Sequence, residues 1–184
     1  MLFPIETRRL LIRPFEEKDI KDIEEYSSAS DFWLLRSLAW QPTKEGIRKY
    51  WESKRYSKPT NEHDHYDLVI EWKEKQQVIG NIGIWISGSE GNKQGTIAWL
   101  LGNKFQGQGL ASEAAKALIS FGFDTLNLHR ISARTSRDNI RSWLLMERIG
   151  MRREAHFKQS DLVNSEWQDE FIYAVLDEEW HSKH

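Results

Sequence analysis

The sequence predicts a single α/β domain spanning residues 1–184, with a mixed, mostly antiparallel central sheet and helices on both faces. Three observations predict it. Short apolar runs between residues 67 and 101 are separated by turn residues, which indicates antiparallel strands. A strand, a glycine-rich turn and an amphipathic helix then follow one another within 97–123. The last apolar runs, 151–158 and 166–176, form a final hairpin.

The individual elements follow from periodicity and from the residues that interrupt it. Pro14 ends the first alternating run, Thr43 is a candidate N-cap, and Gly150 follows the last helix. The helix after the glycine-rich turn places Ala114 and Leu118 on one apolar face. The predicted strands are 7–13, 67–72, 77–87, 96–101, 130–134, 151–158 and 166–176, and the predicted helices are 16–28, 43–54, 109–123 and 139–149.

Composition excludes several functional classes. The formal net charge is −2, and no basic run suggests binding to nucleic acid or to an anionic membrane. Cysteine is absent, which leaves no thiolate metal site and no cysteine nucleophile, and we expect no metal cofactor. The chain opens without an apolar signal region, and no stretch has the apolar length of a membrane span. We therefore expect a cytoplasmic protein.

The glycine-rich turn after strand 96–101 predicts a binding loop for phosphate. Its glycines allow the backbone to approach a ligand closely, and its last residues open the following helix. Unpaired amide groups and the positive end of the helix dipole therefore point at the same place. The phosphate-binding loop, as we call it below, consists of Gln106, Gly107, Gln108, Gly109, Leu110 and Ala111.

Three ligand classes use such a loop. A nucleoside-triphosphatase loop is excluded, because Gln108 and Gly109 occupy the positions of its lysine and hydroxyl residue. A dinucleotide-binding loop fits weakly, because Ser112 replaces its third glycine and His129 lies where an acidic residue belongs. The third class is the GNAT superfamily of N-acetyltransferases, whose motif [QR]-x-x-G-x-[GA] resembles residues 106–111. In that family the loop amides hold the pyrophosphate of acetyl-CoA.

Two further stretches resemble the Rim-type branch of GNAT, which acetylates ribosomal proteins. The opening ETRRLLIRPFEEKDI, at 6–20, is similar to the first strand and helix of that branch. The segment 133–159 resembles its N-x-x-S pattern followed by a helix, a glycine and an apolar residue. In this chain those positions are Asn139, Ser142, Gly150 and Met151.

The resemblance implies roles for several residues in moving an acetyl group from acetyl-CoA to an amine. Trp99, Leu100 and Leu101 would line the pantetheine, and exposed amides of their strand would polarise the thioester carbonyl. Asn139 would bond the pantetheine, and Ser142 would protonate the departing thiolate. Read from the sequence alone, Asn139 is also a candidate helix cap and Ser142 a candidate surface hydroxyl.

Asp161 falls where related enzymes place a carboxylate that removes the proton of the amine through water, although it also fits a solvated turn.

Direct transfer in a ternary complex is expected, because the chain offers neither a cysteine nor a G-x-S-x-G elbow for an acyl-enzyme. An aromatic-rich segment outside the recognised motifs is expected to wall the acceptor side. Its candidate residues are Asp31, Trp33, Arg36 and Trp40.

The acceptor itself stays open at this stage. An α-amine at a protein N-terminus, with a pKa of about 8, is more often neutral than a lysine side chain. This favours a protein N-terminus, with a small-molecule amine as its rival, and the resemblance to the Rim-type branch implies a ribosomal protein. A non-catalytic acyl-CoA-binding module and a dinucleotide-dependent oxidoreductase are two further hypotheses for the function. Rim-type relatives are often dimeric, so a homodimer is expected.

Overall fold

One eight-stranded sheet organises the part of the chain that the structure describes. The structure is a computed structural model and describes residues 2–28, 43–55, 65–163 and 165–183. Its strands are β1 (Ile5–Glu6), β2 (Leu10–Arg13), β3 (His65–Trp72), β4 (Gln77–Ser87), β5 (Gln94–Leu101), β6 (Arg130–Ser136), β7 (Arg152–Val163) and β8 (Glu166–Leu176). Its α-helices are α1 (Ile20–Ser27), α2 (Lys44–Arg55), α3 (Leu110–Asp124), α4 (Ile140–Arg148) and α5 (Asp177–His181). Within the described ranges, no helix is long and apolar enough to cross a membrane.

The strands lie in the order β1-β2-β3-β4-β5-β6-β8-β7. Every neighbouring pair is antiparallel except β5 and β6, which run parallel. A parallel pair needs a crossover connection, and α3 supplies it. The predicted mixed, mostly antiparallel sheet is confirmed.

Helix α3 covers one face of the sheet, which we call the α3 face. Its predicted apolar stripe is buried, with Ala114 and Leu118 fully inaccessible, and it packs on Ile84 and Ile97 of β4 and β5. Burying a leucine side chain such as that of Leu118 contributes about 1.5–3 kcal/mol to stability. This packing fixes the start of α3 against the end of β5.

Helices α1 and α2 cover the opposite face, the α1–α2 face. Ile23 and Trp51 from these helices form a second buried cluster with Val69 and Leu100 of the sheet. Because strand side chains alternate, β5 contributes to both faces, with Leu100 on the α1–α2 face and Leu101 on the α3 face. Helices therefore lie on both faces of the sheet, as the sequence predicts.

The prediction of one strand over 7–13 is wrong, because a turn interrupts it. Thr7 closes this turn by donating its N–H to the Leu10 carbonyl at 3.0 Å, and the Thr7 hydroxyl also accepts from the Leu10 N–H at 2.9 Å. The Arg9 carbonyl still accepts the Lys73 N–H beside β3, at 3.0 Å, while the Arg9 side chain contacts the phosphate-binding loop. The alternation of apolar residues gave no sign of this turn.

The C-terminal part differs from the prediction in two places. Strand β7 extends to Val163 instead of ending at 158, with a register irregularity between Phe157 and Asp161. The chain then forms α5, which the sequence pattern did not predict. Its acidic first turn includes Glu179, whose carboxylate accepts the Leu176 N–H at 2.9 Å, and Trp180 is buried against the core.

Candidate active site

The glycines of the phosphate-binding loop adopt a conformation that other residues rarely take. Gly107 and Gly109 have φ angles of +77° and +75°, in the left-handed region that favours glycine. Gly109 is the N-cap of α3, and its carbonyl accepts the first intrahelical bond, from the Glu113 N–H at 3.0 Å. The N–H groups at the start of the helix therefore precede any intrahelical acceptor. A Cβ atom on Gly107 would meet nothing within 4 Å, so a ligand has space to reach this backbone.

Beside the loop, β5 and β6 diverge. Their parallel pairing covers only three residue pairs, Gln94–Arg130, Gly95–Ile131 and Thr96–Ser132. Beyond Thr96, β5 stays paired with β4, while β6 stays paired with β8 as far as Ser136. The result is a gap between two neighbouring strands of the sheet, as the family resemblance implies.

The backbone of Trp99 faces this gap. The Gly102 N–H donates to the Ile79 carbonyl of the β4 side at 2.9 Å, so backbone groups two and four residues earlier also point towards β4. Trp99 lies opposite Ile82 in the alternate, non-hydrogen-bonded register. Its N–H and C=O groups therefore point away from β4 and into the gap. They are therefore available to a ligand there.

The Gln106 side chain connects the end of β5 to α4. Its amide nitrogen donates to the Leu101 carbonyl at 2.9 Å and to Asn103 Oδ1 at 3.0 Å. Its amide oxygen accepts from Arg141 Nη1 at 2.8 Å. The Gln106 side chain thus links the end of β5 to α4, while its backbone belongs to the phosphate-binding loop.

Helix α4 lines the cavity together with the end of β5 and the phosphate-binding loop. Asn139 is its N-cap, with Oδ1 accepting the Ser142 N–H at 3.3 Å, so the helix-cap interpretation of Asn139 is confirmed. Asn139 also lines this cavity, so the cap leaves it available to a ligand. Ser142 is half-buried one turn into the helix and lines the same cavity.

The cavity has a volume of about 700 Å³ and brings together nearly all of the predicted cofactor-binding residues. Gln108 is the exception, because its carbonyl accepts from Arg9 Nη1 at 2.9 Å and its side chain donates to the Lys104 carbonyl at 3.3 Å. The predicted residues that line the cavity are Trp99, Leu100, Leu101, Gln106, Gly107, Gly109, Leu110, Ala111, Asn139 and Ser142.

Sequence reasoning missed part of the lining. Helix α4 contributes Arg141, Leu144, Leu145 and Arg148, which fall on one helical face by their spacing of three, four and seven residues. That spacing is visible in the sequence, but it does not say which way the face points. The two arginines give the cavity positive charge, and the leucines give it apolar surface. Other missed lining residues are Asn103, Phe105 and Ser112.

Asp161 does not line this cavity. It lies on β7, exposed, directly opposite Gln168 of β8, so it is part of a strand and not of a solvated turn. Residues directly opposite each other share a face of the sheet. Gln168 and Phe171 are three positions apart on β8, so their side chains point to opposite faces, and that of Phe171 is in the α3-face core. Asp161 is therefore on the α1–α2 face. Arg134 lies on this face too, with its pKa raised chiefly by a hydrogen bond from its guanidinium to Glu170, against burial, and in smaller part by the charge of Asp161.

The predicted acceptor residues Asp31, Trp33, Arg36 and Trp40 lie outside the described residues. Near the gap on the α1–α2 face, Gly83 of β4 lies opposite Ala98 of β5, and the partly exposed Trp85 ring lies beside Gly83. The gap thus connects a cofactor-like cavity with the face that carries Asp161.

The cavity fits the predicted acetyl-CoA. A diphosphate needs amide groups and positive charge, which the start of α3 and the guanidinium groups of Arg141 and Arg148 offer. A thin pantetheine arm needs an apolar channel with a few backbone hydrogen-bonding groups. The divergence of β5 from β6 and the exposed backbone of Trp99 provide that channel.

Comparison with known proteins agrees with this geometry. A family model described as an acetyltransferase (GNAT) domain matches residues 9–152. The uncharacterized N-acetyltransferase YnaD of Bacillus subtilis (strain 168) is 36% identical over 96% of this chain and 98% of that protein. The [ribosomal protein uS5]-alanine N-acetyltransferase of Escherichia coli (strain K12) is 26% identical over 95% of this chain and 91% of that protein. A spermidine N(1)-acetyltransferase of the same organism matches at 18% identity over 94% of this chain and 89% of that protein.

The fold also matches solved structures. The crystal structure of an acetyltransferase (GNAT family) from Bacillus anthracis has a TM-score of 0.77 and 33% identity, covering 96% of this chain and 99% of that chain. GNAT acetyltransferases use acetyl-CoA, which agrees with the fit of the cavity. With the family model covering most of the sequence and the loop, gap and fold in place, the chain belongs to the GNAT family and is an N-acetyltransferase.

Proposed function

We propose that this enzyme acetylates the N-terminal α-amine of a protein, a ribosomal protein above all, by direct transfer from acetyl-CoA in a ternary complex. The observation that carries the proposal is the gap between β5 and β6. It joins the cavity beside the phosphate-binding loop to the α1–α2 face, so donor and acceptor would meet from opposite faces of the sheet. The absence of cysteine from the sequence supports direct transfer over an acyl-enzyme.

Acetyl-CoA, when bound, supplies the thioester whose acetyl group is transferred. In our proposal the Trp99 N–H, which points into the gap, donates to the carbonyl oxygen as negative charge develops on it. Ser142 lines the same cavity and donates its hydroxyl proton to the departing sulfur. Asn139 holds Ser142 in place through the cap of α4 and presents its amide to the pantetheine.

Asp161 is the proposed base. Its position on the α1–α2 face, outside the cavity, supports this role, because we expect the acceptor to approach from that face. There it would accept the proton of the attacking amine through water, as general bases do when they lie beyond direct reach. Arg134 and Glu170 occupy the same face, so the acceptor would meet both signs of charge.

Two carboxylates of the α1–α2 face already have polar neighbours, which favours a single amine over a polyamine. Within the described part of this face, Asp67 lies 3.4 Å from the Tyr50 hydroxyl and 3.6 Å from His65, and Glu170 bonds Arg134. A polycation would gain most from carboxylates that have no such neighbours. The likeness, at 26% identity, to an enzyme named for uS5 alanine also supports a protein N-terminus.

A small-molecule amine is the second candidate. The spermidine N(1)-acetyltransferase relative favours it, at 18% identity. The cytoplasmic location, the homodimer and the acceptor wall at Asp31, Trp33, Arg36 and Trp40 stay predictions.

Mass spectrometry tests the acceptor directly. The enzyme and acetyl-CoA are incubated with a peptide library and with a panel of small amines that includes spermidine. Each peptide contains one internal lysine and is supplied twice, with a free and with a formylated N-terminus. We expect acetylation of free N-termini and no product from formylated peptides. Acetylation confined to small amines would refute the protein acceptor and leave the acetyl-CoA assignment standing.

A further inference from the structure

The turn between β1 and β2, near the start of the described chain, contacts the phosphate-binding loop. Arg9 Nη1 donates to the Gln108 carbonyl at 2.9 Å. Arg9 Nε donates to Glu113 Oε2 at 2.7 Å, and the Arg9 backbone N–H donates to Glu113 Oε1 at 2.8 Å. Thr7 adds a bond from its hydroxyl to Glu113 Oε1 at 2.6 Å. One arginine thus holds both the loop and the first turn of α3.

The bond to Gln108 controls the backbone of the loop. Gln108 lies between Gly107 and Gly109, two residues in left-handed conformation that have the widest backbone freedom. A trans peptide is planar, so its C=O and N–H point in opposite directions. By fixing the Gln108 carbonyl on its own side, Arg9 directs the Gly109 N–H to the other side. Gly109 lines the cavity and Gln108 does not.

The bonds to Glu113 compensate its negative charge at the start of α3. Glu113 lies in the first turn of α3, where its carboxylate would oppose an anionic ligand at the helix start. Arg9 forms an ion pair with it at 2.7 Å, and both side chains are partly buried. Burial alone would raise the pKa of Glu113, but the hydrogen bonds from Thr7 and Arg9 lower it overall, so the carboxylate stays charged and paired.

We infer that Arg9 is a positioning residue for the diphosphate of the acyl donor. It orients the Gly109 amide towards the diphosphate and compensates the charge of Glu113, without contacting the reacting atoms itself. This inference rests on acetyl-CoA as the donor in the proposed function. It assigns a role in donor binding to a residue that lies 97 positions before the loop begins at Gln106.

The test compares Arg9→Met with Arg8→Met. Arg8 is an exposed neighbour, so both variants lose one positive charge, but only the first loses the contacts. Each is assayed with acetyl-CoA and with S-acetyl-pantetheine, which carries the thioester but no diphosphate. Arg9→Met should raise KM for acetyl-CoA about 10- to 100-fold with kcat within about twofold, since the contacts are charge-assisted hydrogen bonds. Its kcat/KM with S-acetyl-pantetheine should equal that of the wild type and of Arg8→Met.

An unchanged KM for acetyl-CoA in Arg9→Met would overturn the inference. Equal losses with both donors would also overturn it, because they would indicate general damage to the fold. If Arg9→Met does not fold, Arg9→Lys replaces it: a lysine keeps the charge but cannot bond Gln108 and Glu113 in the same geometry, so an intermediate KM is expected and a wild-type KM would overturn the inference. Calorimetric titration with CoA reports binding without turnover, which separates a failure of this inference from a failure of the proposed reaction.

Discussion

Replacing Gly109 by aspartate tests whether the loop binds the diphosphate of acetyl-CoA. Gly109 has a φ of +75°, which aspartate and asparagine tolerate better than other residues. A Cβ atom there would lie 3.5 Å from Arg9 Nη2, an ordinary contact, so the substitution is sterically possible. Gly109→Asn has nearly the same shape without the charge and is the matched control. Both variants should lose about 1 kcal/mol of stability without ligand.

The difference between the variants should appear only with ligand. A carboxylate about 5 Å from a phosphate charge costs about 3 kcal/mol at an effective dielectric constant of about 20, or a roughly 150-fold weaker Kd. At acetyl-CoA about 100-fold above Kd, the wild type gains about 2.7 kcal/mol, or roughly 5–11 °C in Tm for a chain of this length. Gly109→Asp should then gain about 1 °C, because its Kd rises to roughly the unchanged ligand concentration or above it.

Differential scanning fluorimetry with and without acetyl-CoA measures these shifts. Gly109→Asn should keep most of the wild-type shift, because it removes no amide group and adds no charge. Equal shifts in the asparagine and aspartate variants would refute the electrostatic reasoning. A full shift in a folded Gly109→Asp variant would exclude the loop as the diphosphate site.

Three further predictions follow from the site. Ser142→Ala should lower kcat by about 10²- to 10⁴-fold with little change in the Kd of acetyl-CoA, because a proton donor acts mainly in the transition state, and a loss below about threefold would contradict that role. Asp161→Asn should lower the rate by a similar factor, most near neutral pH where the acceptor amine is largely protonated, and an unchanged pH–rate profile would contradict its role as a base. Glu113 has a pKa below its ordinary 4.5, so its pairing with Thr7 and Arg9 stabilises the fold above the unfolded pKa of about 4.3 and is lost as pH falls through the folded value. Glu113→Gln should therefore lower Tm at pH 7 and lose that deficit as pH falls through the folded pKa of Glu113, whereas a constant deficit would show that charge is not involved.

Features that depend on local sequence were predictable. The turn at Gly107 and Gly109 follows from the residue type, and the start of α3 follows from the change of period at Leu110. The hairpin of β3 and β4 and the cap at Asn139 also depend on neighbouring residues only. Each of these was predicted correctly because few distant contacts could alter it.

Features that depend on distant contacts were not. The pair of Arg9 and Glu113 joins residues 104 positions apart, and no spacing rule connects them. Arg141 and Arg148 line the cavity only because α4 packs with that face towards the loop. The strand predicted over 7–13 failed for the same reason, since its alternation was real but the turn at Thr7 is stabilised partly by Glu113.

The gap that defines the site follows from two strands that each keep a different neighbour. β5 stays with β4 to its last residue, and Gly80 permits this, because a Cβ atom there would lie 2.2 Å from the Leu100 carbonyl oxygen. β6 stays with β8, whose Phe171 and Tyr173 are buried in the core of the α3 face. Each strand is held along its other edge by a partner, so closing the gap would require both pairs of strands to move together, and the pairing with β4 directs the backbone of Trp99 into the gap. A site formed in this way loses little free energy to reorganisation when it stabilises a developing charge.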